Sequence, residues 1–349
     1  MTVLAFWPGY FSRLGTAKIA WHVHAITATA WLLLLAAQSW SIDRGHRARH
    51  RSLGLAIFIL VPLFLVGAAG VEHSMAIATA SGQDPFYNLW GSPLGIYDLI
   101  GSVAFLLFGV MALKERRNVA RHAAWLLATP LLLIGPALGR VYNAHLPGLI
   151  INGPQDFPLF RWSVHLGGLT AILIALWLWS RHRRHGQPWL VVAAVILLQS
   201  LLFETVGFSR IWNGAYIAFG DISAPVHATG AGMIAAAALW RGWRAIPARP
   251  ASPAASAASL PPSCLANARP VPATRQKNTS AGPRGHHSDG DRGCWSIGTP
   301  WRPFGSVDLM SRWIPVQSQS IRWIWWIEAV PLRPVWEPLS STRGTRLPP

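Results

Sequence analysis

Acidic residues are scarce in this chain: 13 Asp and Glu stand against 30 Lys and Arg in 349 residues, a formal net charge of +17. Charged residues of both signs make up only 12% of it, about half of the roughly 25% usual for a soluble protein. So few charges cannot cover a water-exposed surface. Cysteine is nearly missing too. Cys264 and Cys294 both lie late in the sequence, so nothing before them depends on a disulfide or on thiolate chemistry. The opening MTVLAFWPGYFSRLG has no basic n-region and does not read as a cleavable signal peptide. The excess of positive charge is not gathered on one face. It falls in short bursts between apolar blocks, which argues against nucleic acid as a partner and for a protein inserted in a lipid bilayer.

What is present in quantity is apolar: 52% of the residues are hydrophobic, in blocks close to the 20 or so that a helix needs to cross a bilayer. The expected fold is therefore an all-α, polytopic transmembrane bundle. Seven spans are expected, near 19–41, 53–72, 95–113, 122–140, 162–180, 188–208 and 223–240. Pro130 and Pro136 fall inside the fourth, as membrane helices tolerate when neighbours re-satisfy the freed carbonyls. Gly67, Gly70, Gly167, Gly168, Gly230 and Gly232 are candidates for close helix approach. Residues 1–18 form a short leading segment, 19–244 the bundle, and 245–349 a low-complexity tail that opens with ARPASPAASAASLPPS. That composition cannot bury enough apolar surface to order itself. The one apolar cluster of the tail, RWIWWIEAVPL, is too short to span.

Orientation follows from Lys and Arg alone. The loops after spans one, three, five and seven carry fourteen, in runs such as Arg44, Arg47, Arg49 and Arg51, while the opposite side carries five: Arg13, Lys18, Arg140, Arg161 and Arg210. The richer side is expected to be cytoplasmic, with the N-terminus outside and the C-terminus inside. Translocating Arg13 and Lys18 without a signal is awkward. An additional span ahead of Met1 would remove the difficulty and give eight spans with both ends inside.

Given that orientation, each span brings an ionisable group to the outer side: His24, the adjacent Glu72 and His73, Asp98, Arg140, His165, Glu204 and His227. A charge in hydrocarbon costs about 2.5–3.5 kcal/mol on insertion scales, so such groups normally face a bundle interior or a wet cavity. Any one of them near an interface reaches the headgroups cheaply. Seven at one level favour a shared polar cavity. His22 and His24 are separated by about 200° around a helix. His24 shares its face with Trp31 and Gln38, so His24 is expected inward and His22 at the interface. His46, His50, His122, His182 and His185 sit among arginines and read as loop residues, with the alternative that His50 and His122, which begin spans two and four, reach inward.

Three chemistries suit this set. Haem b could be held between His24, His165 and His227 for membrane redox work. A divalent metal could be held by His73, His165, His227 and Asp98, with Glu204 as general base. A transporter would use the same charges to bind a small solute or relay protons. Composition does not choose between an enzyme and a carrier.

The stretches FWPGYFSRL, WHVHAITATAWLLLLAAQSW and GHRARHRSLGLAIFILVP together resemble the DUF2306-like group of bacterial multi-pass membrane proteins. The features shared are an aromatic-proline-tyrosine entry, a His-x-His at a span start with Trp and Gln further along, and His50-Arg51-x-x-Gly54 at the next span. The resemblance covers residues 5–70 well and the later spans by topology only. It implies a bacterial cell (inner) membrane protein and brings no established activity. Relatives of this look have an apolar span ahead of the FWPGYF-like stretch and lack the long tail.

Overall fold

The computed structural model describes residues 2–7 and 9–246; the tail expected from 245 onward, with both cysteines, lies almost wholly outside them. The described residues form ten α-helices: α1 (Thr2–Phe6), α2 (Ile19–Asp43), α3 (Arg47–Gly54), α4 (Ile57–Ser81), α5 (Pro85–Lys114), α6 (Val119–His145), α7 (Phe160–Arg181), α8 (Gln187–Glu204), α9 (Arg210–Asp221) and α10 (Ala224–Arg244), with no strand among them. The all-α bundle is as expected. Six stretches are long and apolar enough to cross a membrane, and α9 with α10 qualifies only as a pair bent by 103°. The expected seventh span coincides with α10, which Ser223 and Pro225 start afresh after the bend from α9.

Two of the expected spans are longer than their apolar cores. Gly82, at φ +66°, ends α4 in the left-handed region, where glycine carries no steric penalty. Asp84 then caps α5, its Oδ1 accepting from Phe86 N at 2.9 Å and Tyr87 N at 3.3 Å, with Pro85 at the first helical position. The helix therefore begins ten residues before the apolar run at 95. Glu72 is nine residues from the end of α4 and Asp98 thirteen from the start of α5, or about 13 and 20 Å along the axes. Neither lies within a turn of its helix end.

α5 is the centre of the bundle, packing against α4, α6, α8 and α10, while α2 lies on α4 and α7 bridges α6 and α8. One continuous apolar core includes Trp31, Phe64, Phe105, Trp125, Ile196 and Leu239. On the outside, Ile26, Leu33, Ile59, Leu107, Leu197 and Ile234 remain exposed, a surface suited to acyl chains. The molecule is an integral, multi-pass membrane protein.

Close crossings are built on small residues. A Cβ on Gly67 would lie 2.6 Å from the backbone N of His24, and one on Gly167 would lie 2.4 Å from the carbonyl O of Gly135. The second crossing pairs Gly135-x-x-x-Gly139 of α6 with Ser163-x-x-x-Gly167 of α7, since Gly139 in turn abuts the Ser163 carbonyl. Gly230, expected at such a crossing, has nothing within 4 Å.

The arginine-rich loops meet at one end. Arg121 Nη2 donates to Gln187 Oε1 at 2.6 Å, and Arg116 Nη2 to the Ile246 carbonyl at 2.6 Å. That end is called the basic end below.

Candidate functional site

The end opposite the basic end holds the polar residues, and the structure divides them into three groups. In the first, Glu72 of α4 meets Tyr216 of α9, whose hydroxyl donates to Glu72 Oε2 at 3.1 Å. The Asp98 carboxyl faces that of Glu72 within hydrogen-bonding reach. Two carboxyls can bond in this way only with a proton on one of them. Arg140 of α6 is the cation of the group, acting on Asp98, Tyr87 and Tyr97, and His24 of α2 lies in the field of that guanidinium. Arg140 also donates through Nη1 to the Pro136 carbonyl at 3.1 Å and stacks over Phe6 of α1 at 4.9 Å. Its residue is exposed although protein surrounds it.

Local sequence explains how these groups meet. A Cβ on Gly95, one turn before Asp98, would lie 2.3 Å from the Tyr216 ring. The missing side chain is what lets α9 lay that ring flat on α5 and bring the hydroxyl to Glu72. Gly67 and Gly70 do the same for α2, against the His24 backbone and the Ala20 side chain.

The second group is His73 with His227, their ring centroids 5.3 Å apart. His227 also stacks on Phe219 at 3.8 Å and hydrogen-bonds through Nε2 to the Phe219 carbonyl at 2.8 Å. In the third, Glu204 is held by Arg161, with Nε at 2.8 Å and a second contact through Nη2, and by His165 Nε2 at 2.5 Å. Trp90, Tyr97, Phe160 and Phe203 form a small apolar cluster, which His165 meets through Phe203 at 5.8 Å. His165 and Glu204 are thus engaged with each other and with Arg161.

The Nδ1 of His22, the residue expected at the interface, pairs with the Tyr10 hydroxyl at 2.8 Å. His24 packs on Phe64 at 4.9 Å, and its Nδ1 is buried with no hydrogen-bond partner. Three tyrosines, Tyr87, Tyr97 and Tyr216, belong to the first group and were not anticipated. A signal existed, because the chain has only 5 tyrosines and the other two, Tyr10 and Tyr142, also bond polar side chains.

At the basic end, two residues expected in loops turn inward. His122 Nδ1 hydrogen-bonds the Ala112 carbonyl at 2.8 Å. His50 lies close enough to feel His122 and the Gln38 backbone.

The haem and metal arrangements are not assembled by these contacts. His24, His165 and His227 each lie against different partners, and no group of three His, Cys, Asp or Glu among the described residues converges to hold a metal ion. No family model, curated protein or solved structure matches the chain.

Proposed function

We propose that this membrane protein binds a small monovalent anion together with a proton in the cavity lined by Arg140, Asp98, Glu72 and His24, as a proton-coupled carrier does. The observation behind it is exposed Arg140 acting on Asp98, whose carboxyl faces that of Glu72. With one proton on the carboxyl pair, Arg140 and the remaining carboxylate balance to zero. A second proton leaves the site at +1 and frees Arg140 from Asp98. A net charge is costly in a low-dielectric site, so the second proton and an anion favour each other's entry. The tyrosine hydroxyls supply further donors for an oxyanion. Haem b and a divalent metal fit the same residues less well, because their imidazoles are dispersed among other partners.

The resemblance to DUF2306-like proteins and the arginine distribution support a bacterial inner-membrane location with the basic end cytoplasmic. Labelling a cysteine placed at exposed Arg184 from outside intact cells would overturn that orientation.

Thermal unfolding in detergent tests the binding. The panel is formate, acetate, lactate and pyruvate, each monovalent at both pH 6 and pH 8. Ligand that binds the folded state alone raises the midpoint with concentration. At least one anion should do so, more at pH 6 than at pH 8, and Arg140→Gln should abolish the shift. No shift with any of the four, or an unchanged shift in Arg140→Gln, removes this reading.

A further inference from the structure

Residues 24, 31 and 38 share one face of α2, and that face follows the seam between α2, α4 and α6. At its upper end is His24, beside Arg140. About 21 Å below along the helix, Gln38 is only 8% exposed, and its Oε1 has no hydrogen-bond partner. His50 Nδ1, also buried, has none either, although the His50 ring hydrogen-bonds the Gln38 backbone. A buried polar atom left unpaired is costly, and three such atoms on one seam (His24 Nδ1, Gln38 Oε1, His50 Nδ1) need polar company. Across from His50, the Nδ1 of His122 faces a carbonyl and must carry hydrogen, which leaves its Nε2 lone pair free.

Between the two ends the seam is closed. Trp31 is 1% exposed and donates through Nε1 to Thr129 Oγ1 at 2.8 Å. Its ring meets Phe105 at 5.4 Å, Phe105 meets Phe64 at 4.3 Å, and Phe64 meets His24 at 4.9 Å. This aromatic chain forms the floor of the upper site.

We propose that Gln38, His50 and His122 form a second, proton-exchanging polar site at the basic end of this seam, with Trp31, Phe64 and Phe105 as the gate between the two sites. The proposal rests on the upper site being a proton-binding one. When the gate admits water, a proton leaves the Glu72–Asp98 pair, turning a carboxyl into a carboxylate. The same proton is taken by the imidazole nitrogen of His50 or His122, which becomes an imidazolium. The groups around that imidazolium are Arg51 on its own helix, His122, and Arg116 beside His122. Glu115 is occupied by Arg121 at 2.6 Å and by Trp125 Nε1 at 3.4 Å. The basic surroundings favour prompt release of the proton to the water beyond.

The test uses the full chain with Cys264→Ser and Cys294→Ser, and an impermeant maleimide added to vesicles of either sidedness. Arg184→Cys marks the basic side, and Leu33→Cys, 61% exposed on the apolar surface of α2, is the lipid-facing control. Gln38→Cys should be labelled from the side that labels Arg184→Cys, and Leu33→Cys from neither. In proteoliposomes held at a potassium–valinomycin potential, Trp31→Ala should admit protons faster than the parent, and the milder Thr129→Val should do so to a smaller extent. Should Trp31→Ala fail to fold, Thr129→Val alone decides that arm. Labelling of Gln38→Cys from neither side or only from the opposite one, or gate variants no leakier than the parent, overturns the proposal. None of these readouts needs the anion. Success here with no midpoint shift in the anion panel condemns the anion reading alone, and the reverse result condemns only the second site.

Discussion

Adding one methyl group at Gly167 separates packing from propensity. Its Cβ would stand 2.4 Å from Gly135 O and 3.1 Å from Gly139 N, so α7 must back away from α6 by roughly 1 Å to restore van der Waals distance. Overpacking of this kind costs about 1–3 kcal/mol. The same Gly→Ala change in an unobstructed helix gains about 0.5–1 kcal/mol, and Gly230, with nothing within 4 Å, supplies that reference. Because the propensity gain is common to both, the difference between Gly167→Ala and Gly230→Ala isolates the clash, about 1–3 kcal/mol. For a protein of this size each 1 kcal/mol moves the midpoint by about 2–4 °C. Thermal unfolding of both variants in one detergent reads the difference directly. The backing away should also weaken the Tyr142–Thr170 hydroxyl pair, now at 3.2 Å across the same two helices. Equal midpoints for the two alanine variants would refute the idea that Gly135, Gly139 and Gly167 set this crossing.

Asp84→Ala should cost about 1 kcal/mol and speed hydrogen exchange at Phe86 and Tyr87, whereas Asp84→Ser should largely restore both; unchanged exchange would mean the cap is idle. Gly95→Ala should destabilise more than Tyr216→Phe, which keeps the ring on α5 and loses only one hydrogen bond, worth about 0.5–1.5 kcal/mol. The reverse order of midpoints would show that α9 is not seated through Gly95. Arg161→Gln should change stability by less than about 1 kcal/mol and lose its effect in high salt, because its side chain is 50% exposed and such pairs are screened. A large, salt-insensitive loss would place the Arg161–Glu204–His165 group among the bundle's structural supports.

The all-α architecture and most of its spans were legible in the sequence because the bilayer acts on composition: apolar blocks of the right length must be helices. The ends of α4 and α5 were legible as well, in Ser81-Gly82-Gln83-Asp84-Pro85, where a stop, a cap and a start stand together. Reading only the apolar core of span three hid them and left Asp98 near a membrane edge. That His24 faces inward followed from helical phase. What phase cannot supply is the angle of one helix against another. Only tertiary structure set Tyr216 on Gly95 and against Glu72, residues 144 apart in sequence. It turned His50 and His122 inward, and set Glu204 against Arg161 and His165. Depth in the membrane is written along one helix and therefore in the sequence. Which polar groups meet at that depth depends on crossings where a few glycines let backbones touch, and that is decided by packing between helices far apart in the chain.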